Sequence, residues 1–286
     1  MGQICFLLNF GRMKGRKKLV KIKILNDTRN SNKDLYNNDD GFSAYIEVDD
    51  NKFLFDVGPN DNFIKNAKKI NIDLDAINTI VLSHGHFDHG DGLEYFNRKV
   101  KLIAHPNCIY RRWWKDDHSH YSGLKLSKEE IENRFETYFT KQPYQFFDNI
   151  FFLGEIKRKI PVVLNKWVLE NGENDEVLDD SGIAINTPQG IIVIAGCSHS
   201  GICNIVEYAK EVTGNNQVLA VLGGFHLRKL DDDTDKVIEY MRKNVKEVIL
   251  AHCTVDEVCE KFMKELNKDI KVSVTEVGKE YIYDSC

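Results

Sequence analysis

The segment Ser83-His84-Gly85-His86-Phe87-Asp88-His89-Gly90 follows directly on the apolar run Ile80-Val81-Leu82. Three histidines and an aspartate behind a buried strand constrain this chain more than any other feature it carries. Imidazole and carboxylate together form a donor set suited to zinc, with iron and manganese as further occupants. A backbone leaving a strand points alternate residues the same way, so His84 and His86 can grip one ion. Asp88 and His89 lie just beyond, where the chain can turn and offer two donors to a second ion. Glycines at 85, 90 and 92 permit a tight fold around such a cluster. A solvated histidine-rich loop is the plain alternative, and the spacing of the donors argues against it.

Strands and helices alternate through the first half. Val20 to Leu25 and Phe42 to Val48 read as strands, the second alternating as a half-buried strand does. Asp49-Asp50-Asn51 makes a turn, and Lys52 to Phe55 returns as a hairpin partner. Asn62 to Lys69 predicts a helix with Ile64 and Ala67 inward, and Val100 to Ala104 a strand ending at His105-Pro106. From Asn107 to about Asp180 the pattern changes. Ser127 to Tyr138 predicts a helix opened by the capping box Ser127-Lys128-Glu129-Glu130. Gln145 to Phe147 and Ile150 to Leu153 predict short strands, and the aromatic density of the block argues for a packed cap rather than a loose loop. Regularity then returns. Gly182 to Asn186, Gly190 to Ala195, Val218 to Leu222 and Val245 to Leu250 are strand runs, with helices over Ile202 to Glu211 and Asp232 to Arg242. The last three of those strands each end in a loop bearing a histidine: His199, His226 and His252.

Bulk properties narrow the class. A chain of 286 residues with 42% hydrophobic and 29% charged residues can bury a full core. A net charge of −5 argues against a protein that wraps nucleic acid, so no nucleic-acid partner is expected. Seven cysteines without a repeating spacing point to reduced thiols and a cytoplasmic location. The apolar Ile4 to Leu8 is too short to span a membrane, and Phe6 stands where a myristoylation signal needs Ser or Thr. Residues 1–19, with Arg12, Lys14, Arg16, Lys17 and Lys18, read as a basic, solvated extension ahead of a domain over 20–286.

The motif His84-x-His86-x-Asp88-His89 resembles the signature of the metallo-β-lactamase superfamily. Phe53-Leu54-Phe55-Asp56-Val57-Gly58 is similar to the strand and Asp-x-Gly turn that precede the motif there. Gly196-Cys197-Ser198-His199, Gly223-Gly224-Phe225-His226 and Ala251-His252-Cys253-Thr254 resemble the branch of dihydropterin-ribofuranosylaminobenzene-phosphate synthases and their bacterial relatives. The resemblance implies an α/β fold, a four-layer αββα sandwich, with a small inserted α/β subdomain at about 107–180. It also implies two divalent metal ions, zinc foremost, held by His84, His86 and His199 at one site and by Asp88, His89 and His252 at the other.

In many superfamily members an aspartate ending the strand that matches Gly190 to Ala195 bridges the metals; here that position is Cys197. The bridge is then left to water, with Cys197 read as a buried, inert thiol ahead of a thiolate ligand, and Asp179 or Asp180 as further carboxylates within reach. Asp88 is expected to orient a metal-activated water while serving as a ligand, and His226 to protonate a leaving group or to be structural. His105 is a weaker candidate, and His118 and His120 read as surface residues. The resemblance thus implies a metal-dependent hydrolase or phosphoryl-transfer enzyme acting on a small phosphorylated metabolite, a pterin among the candidates. A non-catalytic, metal-retaining pterin or nucleotide binder and an RNA-processing nuclease are the alternatives. Oligomeric state is not legible.

Overall fold

In the computed structural model, which describes residues 19–162 and 166–285, the strand runs assemble into two seven-stranded sheets. In chain order the first eight strands are β1 (Leu19–Asn26), β2 (Ser43–Val48), β3 (Asn51–Phe55), β4 (Thr79–Val81), β5 (Lys101–Ala104), β6 (Arg112–Trp114), β7 (Glu136–Phe139) and β8 (Tyr144–Phe147). The remaining eight are β9 (Ile150–Phe152), β10 (Trp167–Leu169), β11 (Gly182–Thr187), β12 (Gly190–Ala195), β13 (Val218–Gly223), β14 (Val245–Leu250), β15 (Lys271–Val274) and β16 (Glu280–Asp284). One sheet runs β16-β1-β2-β3-β4-β5-β7 and the other β15-β14-β13-β12-β11-β9-β8, while β6 and β10 pair as a separate ribbon. The basic extension, its apolar Ile4 to Leu8 and the run from Arg12 to Lys18 lie outside the described residues.

The alternation of side chains along each strand decides the layering. In β12, Ile192 and Ile194 join Val20, Ile22, Ile24, Phe53 and Phe55 in a core between the sheets. Its intervening Ile191, Val193 and Ala195 face outward onto α4 (Ile202–Thr213), which contributes Ile205 and Val206 to an outer core with Ile238, Met241, Val258 and Phe262. Those last four come from α5 (Asp232–Asn244) and α6 (Asp256–Leu266). On the opposite flank, α1 (Asn62–Lys69) and α3 (Lys128–Arg134) cover Leu54, Ile80 and Leu102. Helices thus cover both outer faces of two stacked sheets, the expected four layers. Each fully buried Ile, Val or Phe contributes roughly 1.5–3 kcal/mol, which fixes register because a one-residue slip would send every such side chain to the wrong core. Within the described residues no helix is long and apolar enough to cross a membrane.

Two local expectations need correction. On α1 the fully buried side chains are Phe63, Asn66 and Ala67, with Ile64 only partly covered. The helix expected to run to Tyr138 keeps its capping box at Ser127 and Glu130 but stops at Arg134. Residues Glu136–Phe139 instead pair in parallel with β5, because an open sheet edge offers this β-prone stretch a ladder of backbone partners. Within the block at about 107–180 the strands divide among the sheets. Its β7 extends one sheet, β8 and β9 the other, and β6 with β10 forms the ribbon.

Parallel strands give the site its address. In β3-β4-β5-β7 and in β12-β13-β14-β15 neighbouring strands run the same way. The loops leaving their carboxyl ends carry Asp56, His84, Cys197, His199, His226 and His252, and loops at such an edge are held by rigid strands while staying free to carry function.

Candidate metal centre

A buried carboxylate organises the first loop. Asp56 Oδ1 accepts the Ser83 backbone N–H at 2.7 Å, and Oδ2 accepts the Ser83 hydroxyl at 2.7 Å. The same Oδ2 lies 2.7 Å from His89 Nδ1. Since Ser83 has given its one proton to Asp56, its oxygen accepts from His84 Nδ1 at 2.9 Å. Both rings are thereby oriented with Nδ1 held by these partners and Nε2 turned inward, as a histidine ligand requires. Gly85 has no room for a side chain: a Cβ would lie 1.8 Å from the Cys108 carbonyl oxygen. Its N–H donates to Asp179 Oδ2 at 2.7 Å, and Asp179 Oδ1 meets the buried Arg112 at 3.1 Å. A helical turn, α2 (Phe87–Gly90), then carries Asp88 and His89.

These loops converge. Donor atoms of Asp88, His89, Cys197 and His252 lie within 4.8 Å of one another, and so do those of His84, Cys197 and His199. Cys197 Sγ is 3.2 Å from both His89 Nε2 and His252 Nε2. His86 enters neither group, but its Nδ1 is 3.0 Å from His84 Nε2. His226 joins Cys197 and Cys253 in a third group, and its ring centroid is 4.5 Å from that of His199. The six expected metal ligands, with Cys197 and His226, therefore meet at one edge of the sandwich. Asp179 and Asp180 do not reach the donor groups. Asp179 holds Gly85 and Arg112, while Asp180 Oδ2 accepts the Ser200 N–H at 2.8 Å. His105 is buried against Glu155 at 3.1 Å, and His118 and His120 are exposed.

The residues present fit metal ions. Both ring nitrogens of His199, Nε2 of His86 and Nδ1 of His252 are buried without a hydrogen-bond partner, a costly state for polar atoms that a cation relieves. Nitrogen, carboxylate oxygen and sulfur in one cluster suit zinc, with other transition metals as competitors. Charge balance agrees. Burial, reinforced by the neighbouring histidines, keeps His84 and His199 neutral, and burial together with Arg112 pulls His86 down to about 3. Burial works against a charged His89, yet the carboxylates of Asp88 and Asp56 outweigh it and raise its pKa well above the ordinary value. Burial likewise disfavours the Asp88 carboxylate, but His89 beside it holds it below the usual range. The site is built to receive positive charge between Asp88 and its histidines.

Sequence reasoning passed over several participants. Cys197, set aside as an inert thiol, stands among the donor atoms of every group, although burial pushes its thiol up and leaves it protonated unless a cation is at hand. Asp56 was noted only as part of a turn, although an aspartate directly after a buried strand was the available signal. Trp167 carried none, since its strand pairs with β6 across a long sequence separation. Its ring covers the cluster at 4.8 Å from His86 and 4.9 Å from His199. Asp56, Ser198 and His226 adopt positive φ without being glycine, so each of the loops that aim these side chains holds a strained residue.

Fold and site together define a member of a known class. The family model of the metallo-beta-lactamase superfamily matches residues 36–210, and the chain belongs to that superfamily. It is 33% identical over 255 residues to the 7,8-dihydropterin-6-methyl-4-(beta-D-ribofuranosyl)-aminobenzene-5'-phosphate synthase of Methanocaldococcus jannaschii, covering 81% of this chain and 86% of that protein. Among solved structures, a metal-dependent hydrolase of the beta-lactamase superfamily superposes with a TM-score of 0.80 at 27% identity, covering 93% of this chain and 99% of the other. A diphosphatase from the PhnP family shares the fold, with a TM-score of 0.56 at 16% identity over 93% of this chain and 99% of the other.

Proposed function

We propose that this protein is a two-metal enzyme that hydrolyses or transfers the phosphoryl group of a small, soluble phosphorylated metabolite, with a pterin-bearing phosphate as the leading substrate class. The observation that carries the reading is the pair of donor groups, His84 and His199 in one and Asp88, His89 and His252 in the other, brought together at one sheet edge. His86 belongs beside the first group, where its Nδ1 faces His84. Ions held there would supply Lewis acidity and an activated water at neutral pH. The resemblance to a named pterin-phosphate synthase supports the substrate class. A net charge of −5 weighs against a nucleic-acid substrate.

The chain's own groups then have distinct tasks. Asp88, with Oδ2 3.4 Å from His89 Nε2, supplies a carboxylate that orients the attacking water. His226 has both ring nitrogens buried and unpartnered beside His199, where one can carry a proton to the leaving oxygen. Trp167 lies over His86 and His199 and excludes bulk water from that side.

The test is turnover of a panel of phosphomonoesters, cyclic phosphodiesters and pyrophosphates, including a dihydropterin pyrophosphate, by metal-loaded protein. Phosphate or pyrophosphate release that disappears in His84→Ala supports the enzyme. Binding of a pterin or nucleotide without turnover would make the protein a metal-retaining binder, and cleavage of RNA alone would make it a nuclease.

A further inference from the structure

We infer that Cys197 is a metal ligand shared by both ion positions, its sulfur standing where water alone was expected to bridge. The inference rests on the two-metal reading above and adds the identity of the group between the ions.

The geometry is specific to Cys197. Its Sγ is the one donor common to the group of Asp88, His89 and His252 and the group of His84 and His199. Two ring nitrogens, His89 Nε2 and His252 Nε2, flank the sulfur at 3.2 Å each. That spacing fits donors gathered around one ion. With metal–sulfur bonds of about 2.3 Å and metal–nitrogen bonds of about 2.0–2.1 Å at tetrahedral angles, donors sharing one ion lie about 3.5 Å apart, close to the spacing found.

An independent observation comes from the other position. His199 is 1% exposed, yet neither ring nitrogen has a hydrogen-bond partner, and His86 Nε2 is buried in the same state. Donors on that side also await a cation, and Cys197 Sγ is the atom they share with the first group. Cys253 is less available. Its thiol points at the Cys197 carbonyl at 3.6 Å, and its sulfur accepts the His226 backbone N–H at 3.3 Å. Gly224 packs against it so closely that a Cβ there would lie 2.3 Å from Cys253 Sγ. Metal uptake would break the Cys197 S–H bond, release the proton to solvent and form sulfur–metal bonds, with no change of oxidation state.

The experiment titrates the metal-free, full-length protein with cobalt(II) alone, comparing wild type with Cys197→Ser, Cys197→Asp and Cys253→Ser. Wild type and Cys253→Ser are expected to develop a near-ultraviolet sulfur-to-cobalt charge-transfer band that Cys197→Ser and Cys197→Asp lack. X-ray absorption of the zinc-loaded wild type is expected to show a sulfur scatterer at about 2.3 Å, a readout that needs no variant to fold. Two cobalt ions bound without the band would overturn Cys197 as a ligand and leave the two-metal reading standing. A band that survives Cys197→Ser and is lost in Cys253→Ser would also overturn it. Wild type that binds no cobalt would sink the two-metal reading itself.

Discussion

His89 Nδ1 and Asp56 Oδ2 are 2.7 Å apart, and both side chains are fully buried. The pair fixes which nitrogen of His89 faces the donor cluster, and Asp56 does the same for His84 through Ser83. Carboxylates that orient histidine ligands commonly tune metal affinity by 10–100-fold. Asp56→Asn is therefore expected to weaken metal binding by about that factor, measured by competition with a chromophoric chelator. Affinity equal to wild type would show that the ring orientations are held by packing alone.

Much of this centre was legible because its signals are local. The run from Gly190 to Ala195 is apolar throughout, as a central strand buried on both faces must be, and it announced both β12 and the loop after it. The donors from His84 to His89 lie within one short segment, so their convergence needed no knowledge of distant pairing. What escaped detection depends on tertiary partners. Glu136–Phe139 is a strand because β5 presents an edge to it, and Trp167 covers the histidines because Trp167–Leu169 pairs with Arg112–Trp114. Cys197 reads as inert by residue type. Only the meeting of three loops around its sulfur places it among the donor atoms.

Stability of the metal-free protein is expected to fall as the solution is acidified. His86 has a folded pKa of about 3 against an ordinary 6.5, and His84 and His199 are also lowered. The unfolded chain therefore binds protons that the folded one refuses. The stability these groups contribute is complete above 6.5 and is lost as pH falls through that window. Each contributes a slope of up to about 1.4 kcal/mol per pH unit. Asp180, pushed up to about 6 by burial, acts in the opposite sense. Its contribution is present below the ordinary 3.8 and is lost as pH rises through about 6, so it offsets part of the histidine effect. Urea midpoints of chelated protein should decrease steadily from about pH 6.5 towards pH 4. A flat profile would mean that the three histidines already carry protons in the folded state.

Arg112 is 0% exposed and holds Asp179 at 3.1 Å and Asp175 at 3.3 Å. Removing one partner from a buried ion pair leaves an uncompensated charge and costs about 3–5 kcal/mol. Arg112→Met is expected to lose stability on that scale, and adding Asp179→Asn should recover part of it because the stranded carboxylate is gone. Denaturant unfolding of the single and double variants decides this. Equal loss in both would assign the effect to packing around the guanidinium instead of charge.

Gly85 tests whether backbone placement, rather than the donors themselves, makes the first position. It sits between His84 and His86, donates its N–H to Asp179, and has the Cys108 carbonyl oxygen 1.8 Å from where a Cβ would stand. Alanine there removes no ligand. It forces the loop away from Cys108, strains the contact with Asp179 and separates His84 from His86. Overpacking of this kind costs roughly 1–3 kcal/mol, which the cores above and below the sheets can absorb, so Gly85→Ala is expected to fold. Metal analysis should then show the position of His84, His86 and His199 depleted, while that of Asp88, His89 and His252 is retained. If both positions fill as in wild type, the loop has more freedom than its contacts indicate, and the histidines alone define the site.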